Sequence, residues 1–180
     1  MSVICQRTER AVMMALLHEA SAALAGVNTF AAVSYSEGVA VRNVLEQAVV
    51  GSESFTLNFY AGESEEQVTT PCVQVISENA TEDQDAPGNA LVDVQCDLSF
   101  PADSASGEDV IAKIEAASIW IHQMLRRSDI GDLVTNQHCG VTVCGVDPSG
   151  FTAARTVDGR QRVHRYSVRM YVAGRGFVED

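Results

Sequence analysis

Apolar and polar residues alternate most regularly between Ala90 and Phe100. Val92, Val94, Cys96, Leu98 and Phe100 fall on one side, and Asp93, Gln95, Asp97 and Ser99 on the other. This period of two predicts a strand with one buried and one polar face. Phe55, Leu57 and Phe59 alternate in the same way over 55–60, and β-branched content marks Cys72–Ser77 as a further strand, opened by Pro71. The period changes to that of a helix at Thr8–Ala25, where Ala11, Val12, Ala15, Leu16 and Leu24 form a stripe. Thr8 is the expected N-cap and Gly26 the expected stop. A second helix is expected from Ser106-Gly107-Glu108-Asp109, which has the form of a capping box. Val110, Ile114, Ala117, Ile121 and Met124 follow at helical spacing, and Arg126 and Arg127 sit where cations suit the end of a helix. Trp120 falls beside that stripe, either as a flank of the core, the favoured reading, or as an exposed anchor for a partner.

Three strands are expected after residue 138. Cys139–Val146 is followed by the turn residues Asp147-Pro148-Ser149-Gly150, then Phe151–Val157. Asp158-Gly159 is a two-residue hairpin signal leading into 160–173. That turn would set Val157 opposite Arg160 and Phe151 opposite Tyr166. Residues 27–50 fit either a short helix or a strand and loop, and the polar stretches 61–70 and 79–89 read as loops. The sum is one α+β domain over 1–180: a mainly antiparallel sheet, two main helices on one face and a C-terminal β-meander.

Charge refines this picture. The 180 residues carry 24 Asp and Glu against 12 Lys and Arg. Residues 28–109 hold fifteen acids and Arg42 as their sole base, whereas 110–180 hold seven acids and nine bases. Such a balance argues against a nucleic-acid binder, which collects basic surface. Lys113 is the one lysine, and arginine favours bidentate pairs with carboxylates. Asp93 and Asp97 share a spacing of four with Arg165 and Arg169. If their strands are neighbours, these residues pair across the polar face of the sheet, where a neighbouring subunit would desolvate and strengthen them. Asp93, Asp97, Arg165 and Arg169 are therefore the candidate subunit-interface residues.

No catalytic, cofactor-binding or metal site is expected. Cys5, Cys72, Cys96, Cys139 and Cys144 form no CxxC, and His18, His122, His138 and His164 are scattered. Cys72, Cys96 and Cys144 read as buried apolar residues on strands. An odd cysteine count and a start without an apolar h-region fit a reducing compartment. Phosphate-binding glycine loops are absent from the sequence, as is any apolar run of about 18 residues.

The order of elements resembles the tail terminator (tail completion) proteins of long-tailed bacteriophages. The resemblance rests on the N-terminal apolar helix, Pro71-Cys72-Val73-Gln74-Val75, the alternating strand Val92–Leu98, the helix ending Gln123-Met124-Leu125, and the last strand from Arg162 to Arg169. It implies a structural virion protein and no enzyme. Such proteins form a ring, usually a hexamer, that caps the tail tube and docks onto the head-tail connector protein. DNA passes through the lumen without specific binding. The implied place is the tail or neck of the virion, with host cytoplasm during assembly. An acidic lumen suits that role, since carboxylates repel phosphate and let DNA slide. Alternatives are another neck or head-tail connector protein, a non-viral oligomeric scaffold, and a cytoplasmic thiol-dependent enzyme or small-molecule binding domain built around His138, Cys139 or Cys144.

Overall fold

The computed structural model describes residues 3–24, 58–62, 70–82, 88–101, 117–158 and 161–174. Among them are helices α1 (Val3–Leu24), α2 (residues 117–125) and α3 (Ile130–Thr135). The strands are β1 (Asn58–Ala61), β2 (Cys72–Glu82), β3 (Asn89–Pro101), β4 (Val141–Asp158) and β5 (Gln161–Gly174). They form one sheet in the order β1-β2-β3-β5-β4. Every neighbouring pair is antiparallel except β1–β2. The fold is thus α+β with a mainly antiparallel sheet, as the alternation and helical stripes predict. The capping box at 106–109, Gly26, and the stretches 27–50, 55–57, 63–69 and 83–87 lie outside the described residues.

Both long helices cover one face of the sheet. Ala90, Val92, Val94, Cys96, Leu98 and Phe100 of β3 pack there with Tyr166, Val168, Met170 and Val172 of β5. Ala11, Val12, Ala15 and Leu16 of α1 close one part of this core, and Ala117, Trp120, Ile121, Met124 and Leu125 of α2 another. Trp120 is fully buried, so its place beside the stripe is a core position.

Thr8 is not a cap. Helix α1 already runs from Val3, because Ile4 and Cys5 extend its buried stripe toward the N-terminus. Thr8 lies inside the helix, and its hydroxyl donates to the Ile4 carbonyl at 2.7 Å. Back-bonding of this kind satisfies a mid-helix threonine. One turn on, the buried carboxylate of Glu9 accepts from Ser77 N at 2.7 Å. Ser77 sits at a bulge in β2, beyond the last β1 partner at Val75. Glu9 therefore supplies an acceptor where β2 has no further strand partner on that side among the described residues.

Both ends of the loop expected at 79–89 are strand. Asn79–Glu82 extend β2 and pair with Ala90–Asp93, and Asn89 opens β3. Ladder hydrogen bonds come from the backbone, so a polar run pairs as readily as an apolar one when its partner strand continues. Asp147–Gly150 does not reverse the chain either. It is a break in register inside β4, with Asp147 opposite Arg169 before it and Thr152 opposite Ser167 after it. The turn chemistry is still present: Asp147 Oδ1 accepts from Ser149 N and Oγ at 2.9 and 2.6 Å. The uninterrupted β5 pairs with both halves of β4, so the local turn becomes a bulge. The C-terminal meander accordingly has one strand fewer than the spacing predicts.

The hairpin register also differs. Asp158 pairs with Gln161, and Ala153, not Phe151, lies opposite Tyr166. Asp158 belongs to the ladder, which moves the turn one residue along the chain but keeps every residue on its expected face. The bulge brings Gly150 against β5: a Cβ built there would lie 2.7 Å from Arg169 Cβ. Gly150→Ala is expected to cost about 1–3 kcal/mol through forced backbone displacement, read as a lower urea midpoint at unchanged slope.

Candidate functional site

Strand alternation puts Leu91, Asp93, Gln95, Asp97 and Ser99 of β3 on the face away from the helices. The β3–β5 register sets Asp93 opposite Arg169 and Asp97 opposite Arg165. All four candidate interface residues thus meet as two cross-strand pairs. Arg165 is a two-pronged donor to Asp97, with Nε 3.0 Å from Oδ1 and Nη2 2.8 Å from Oδ2. Gln95 Nε2 donates to the same Oδ2 at 3.2 Å. Arg169 Nε donates to Asp93 Oδ1 at 2.7 Å, with Nη2 3.4 Å from Oδ2.

The pairs differ in solvation. The Asp97 side chain keeps 10% of its exposure, whereas Arg165, Arg169 and Asp93 keep 43%, 40% and 48%. Asp97 is a nearly buried carboxylate served by a half-exposed guanidinium. Asp93–Arg169 is a solvated pair. Asp147 of β4 flanks Arg169 on its other side. Hydrogen bonding to Asp93 and the charges of Asp93 and Asp147 hold the Arg169 guanidinium firmly protonated. Hydrogen bonds from Ser149 hold Asp147 below the usual carboxylate range, with Arg169 adding a smaller pull.

A second polar group lies under the helices, and spacing alone gave no hint of it. Ser118 Oγ of α2 is 2.8 Å from His164 Nδ1 and hydrogen-bonds the Tyr166 hydroxyl. All three residues are buried. The Phe100 ring packs edge-on to His164 at 5.2 Å between centroids. Beside this group, Ser118, His122, Gln123, Ala153, Arg155 and Tyr166 line a cavity of about 440 Å³ between α2 and β4. Burial and then the Arg126 charge lower the His122 pKa, which keeps that imidazole neutral at pH 7. Gln123 Oε1 is buried and accepts no hydrogen bond among the described residues.

Arg126 and Arg127 follow the last turn of α2, close to the expected place, but they serve neighbours as well as the helix end. The Arg126 guanidinium lies 5.5 Å from the Phe151 ring centroid. Arg127 forks onto Asp129 at 2.8 and 2.7 Å and reaches Glu19 of α1 at 3.1 Å. The Arg127 hydrogen bonds hold the Asp129 carboxyl below its usual range.

The cysteines divide into two classes. Cys5, Cys72 and Cys96 are buried, and burial, then the Asp97 charge, pushes the Cys72 and Cys96 thiols up. Cys144 is exposed, not buried, because it occupies a register break between Val143 and Gly145 that turns it outward on the edge strand. It lines a second cavity of about 420 Å³ with Arg126, Asp132, Asp147 and Phe151. Cys139 precedes β4 beside His138, whose φ of 56° belongs to the tight entry into the strand. Among the described residues, no group of three or more His, Cys, Asp or Glu is placed to hold a metal ion, and no helix is long and apolar enough to cross a membrane.

Neither a known protein-family model nor a curated protein sequence matches this chain.

Proposed function

We propose that this chain is a structural ring subunit, a tail terminator that caps the tail tube of a long-tailed bacteriophage and joins it to the head connector. The observation that carries the reading is the charged ladder on the sheet face opposite α1 and α2. Two arginines stand there in fixed register, each held by an aspartate and each still about two-fifths exposed. Guanidinium groups pre-oriented in this way lose little side-chain entropy when a neighbour desolvates them. The neighbour is a second subunit, with the tube protein and the connector above and below the closed ring. The ring belongs in the virion neck, and its acidic surplus lines a passage for DNA.

Thiol-dependent chemistry has less in its favour. The residues lining the cavity at Cys144 include no histidine to act as a base.

Electron microscopy and mass measurement of the purified protein test the proposal. A closed ring with a hole of about 30–40 Å, wide enough for duplex DNA to slide, is the expected result. Arg169→Glu reverses the solvated pair, so the fold should survive while the oligomer mass falls. An unchanged mass by light scattering, with native circular dichroism, would remove the charged face from the interface.

A further inference from the structure

Among the described residues, strand β4 is an edge of the sheet. Its segment Thr152–Val157 is exposed at every residue, contains no proline, pairs regularly with β5 and carries one charge, Arg155. Natural edges are usually blunted by bulges, inward charges or short length, because an open row of backbone donors and acceptors recruits another strand. The bulge in β4 stops at residue 152, and the segment beyond it is left flat. Within it Val157 is 69% exposed, and beside it lies the exposed side chain of Ile119 on α2, at 38%.

We propose that this edge pairs antiparallel with the same segment of a second copy, about a two-fold axis at Ala154. A two-fold axis normal to the sheet pairs residues of like facing, so the centre must fall on a residue. Centring on Arg155 would set two guanidiniums against each other, which is destabilising. Centring on Ala153 would carry the ladder further into the bulge, to Gly150, whereas centring on Ala154 reaches only Phe151 at its edge. Centring on Ala154 sets Thr152 opposite Thr156, Ala153 opposite Arg155 and Phe151 opposite Val157. Threonine pairs and aromatic–β-branched pairs are both favourable cross-strand neighbours.

This register also explains the cavity between α2 and β4. Ala153 lines it, and Arg155 of a second copy would stand directly across from Ala153. Arg155 makes no ion pair among the described residues of its own chain. The second copy's guanidinium would add five N–H donors to a wall that each chain's own Arg155 already lines. By symmetry each copy completes the other's cavity. The contact is separate from the charged face and joins two subunits without closing a ring, so it stands or falls apart from the ring proposal.

Two variants of the full chain test it. Val157→Asp lies at an exposed position, so the monomer should fold with unchanged circular dichroism and urea midpoint. Its self-association by analytical ultracentrifugation should weaken at least about tenfold, as expected for a charge set against a partner's aromatic ring. Ala154→Cys, with Cys139 and Cys144 replaced by serine, places a thiol opposite its own copy at a spacing a disulfide spans. Mild oxidation should give an interchain disulfide at 154, whereas Thr142→Cys, earlier on the same strand, should give none. Association unchanged in Val157→Asp, or no cross-link at 154 in a folded protein, would overturn the two-fold contact. Either result would leave the ring, read separately from its mass and central hole, untouched.

Discussion

Replacing Trp120 with alanine is expected to cost about 3–5 kcal/mol, the range for emptying a fully buried aromatic site. Trp120 has 1% exposure and lies in the same cluster as Ile121, Met124, Leu98 and Val168, so it ties α2 to the covered face of the sheet. Such a loss corresponds to a fall in melting temperature of roughly 6–20 °C for a chain of this size. The cavity term depends on how far Ile121 and Met124 can relax into the space, which is why the range is wide. Trp120→Phe keeps most of the volume and should lose less than half as much. Thermal unfolding followed by circular dichroism checks both. A Trp120→Ala variant within about 1 kcal/mol of wild type would mean that α2 contributes little to the core.

The charged face yields the second large effect, and its mark is asymmetry. Arg165→Ala leaves the Asp97 carboxylate nearly buried with Gln95 as its remaining side-chain donor. The expected cost is about 2 kcal/mol, below the full penalty for a wholly buried pair because Arg165 itself is partly solvated. Arg169→Ala strands nothing, since Asp93 is half exposed, and it should cost far less than Arg165→Ala. Adding Asp97→Asn to Arg165→Ala should restore part of the loss, because a neutral amide is cheaper to bury than an unpaired carboxylate. Urea denaturation of the single and double variants gives the coupling energy directly. Equal losses at Arg165 and Arg169 would show that burial of Asp97 has no energetic consequence.

That ladder was legible in the sequence because two strands carried the same polar spacing, and strand geometry converts matched spacing into contact. The β3 strand was legible for a related reason: one face meets the helices and the other does not, so Val92–Phe100 alternates. Where the prediction missed, a distant partner overruled a local signal. Thr8 reads as a cap until Ile4 and Cys5 are seen to be buried. Asp147–Gly150 reads as a reversal until β5 is seen to pair on both sides of it. Helix α3 is six residues long, too short for periodicity to register. The Ser118–His164–Tyr166 group joins residues 46 and 48 positions apart, and no spacing rule connects them.

The bond between Glu9 and Ser77 sets an order on events during synthesis. Helix α1 leaves the ribosome before the strands that form its docking surface, and before Ser77, the backbone donor to its buried carboxylate, has emerged. Until the chain has grown by the 68 positions that separate Glu9 from Ser77, it presents an unshielded apolar stripe.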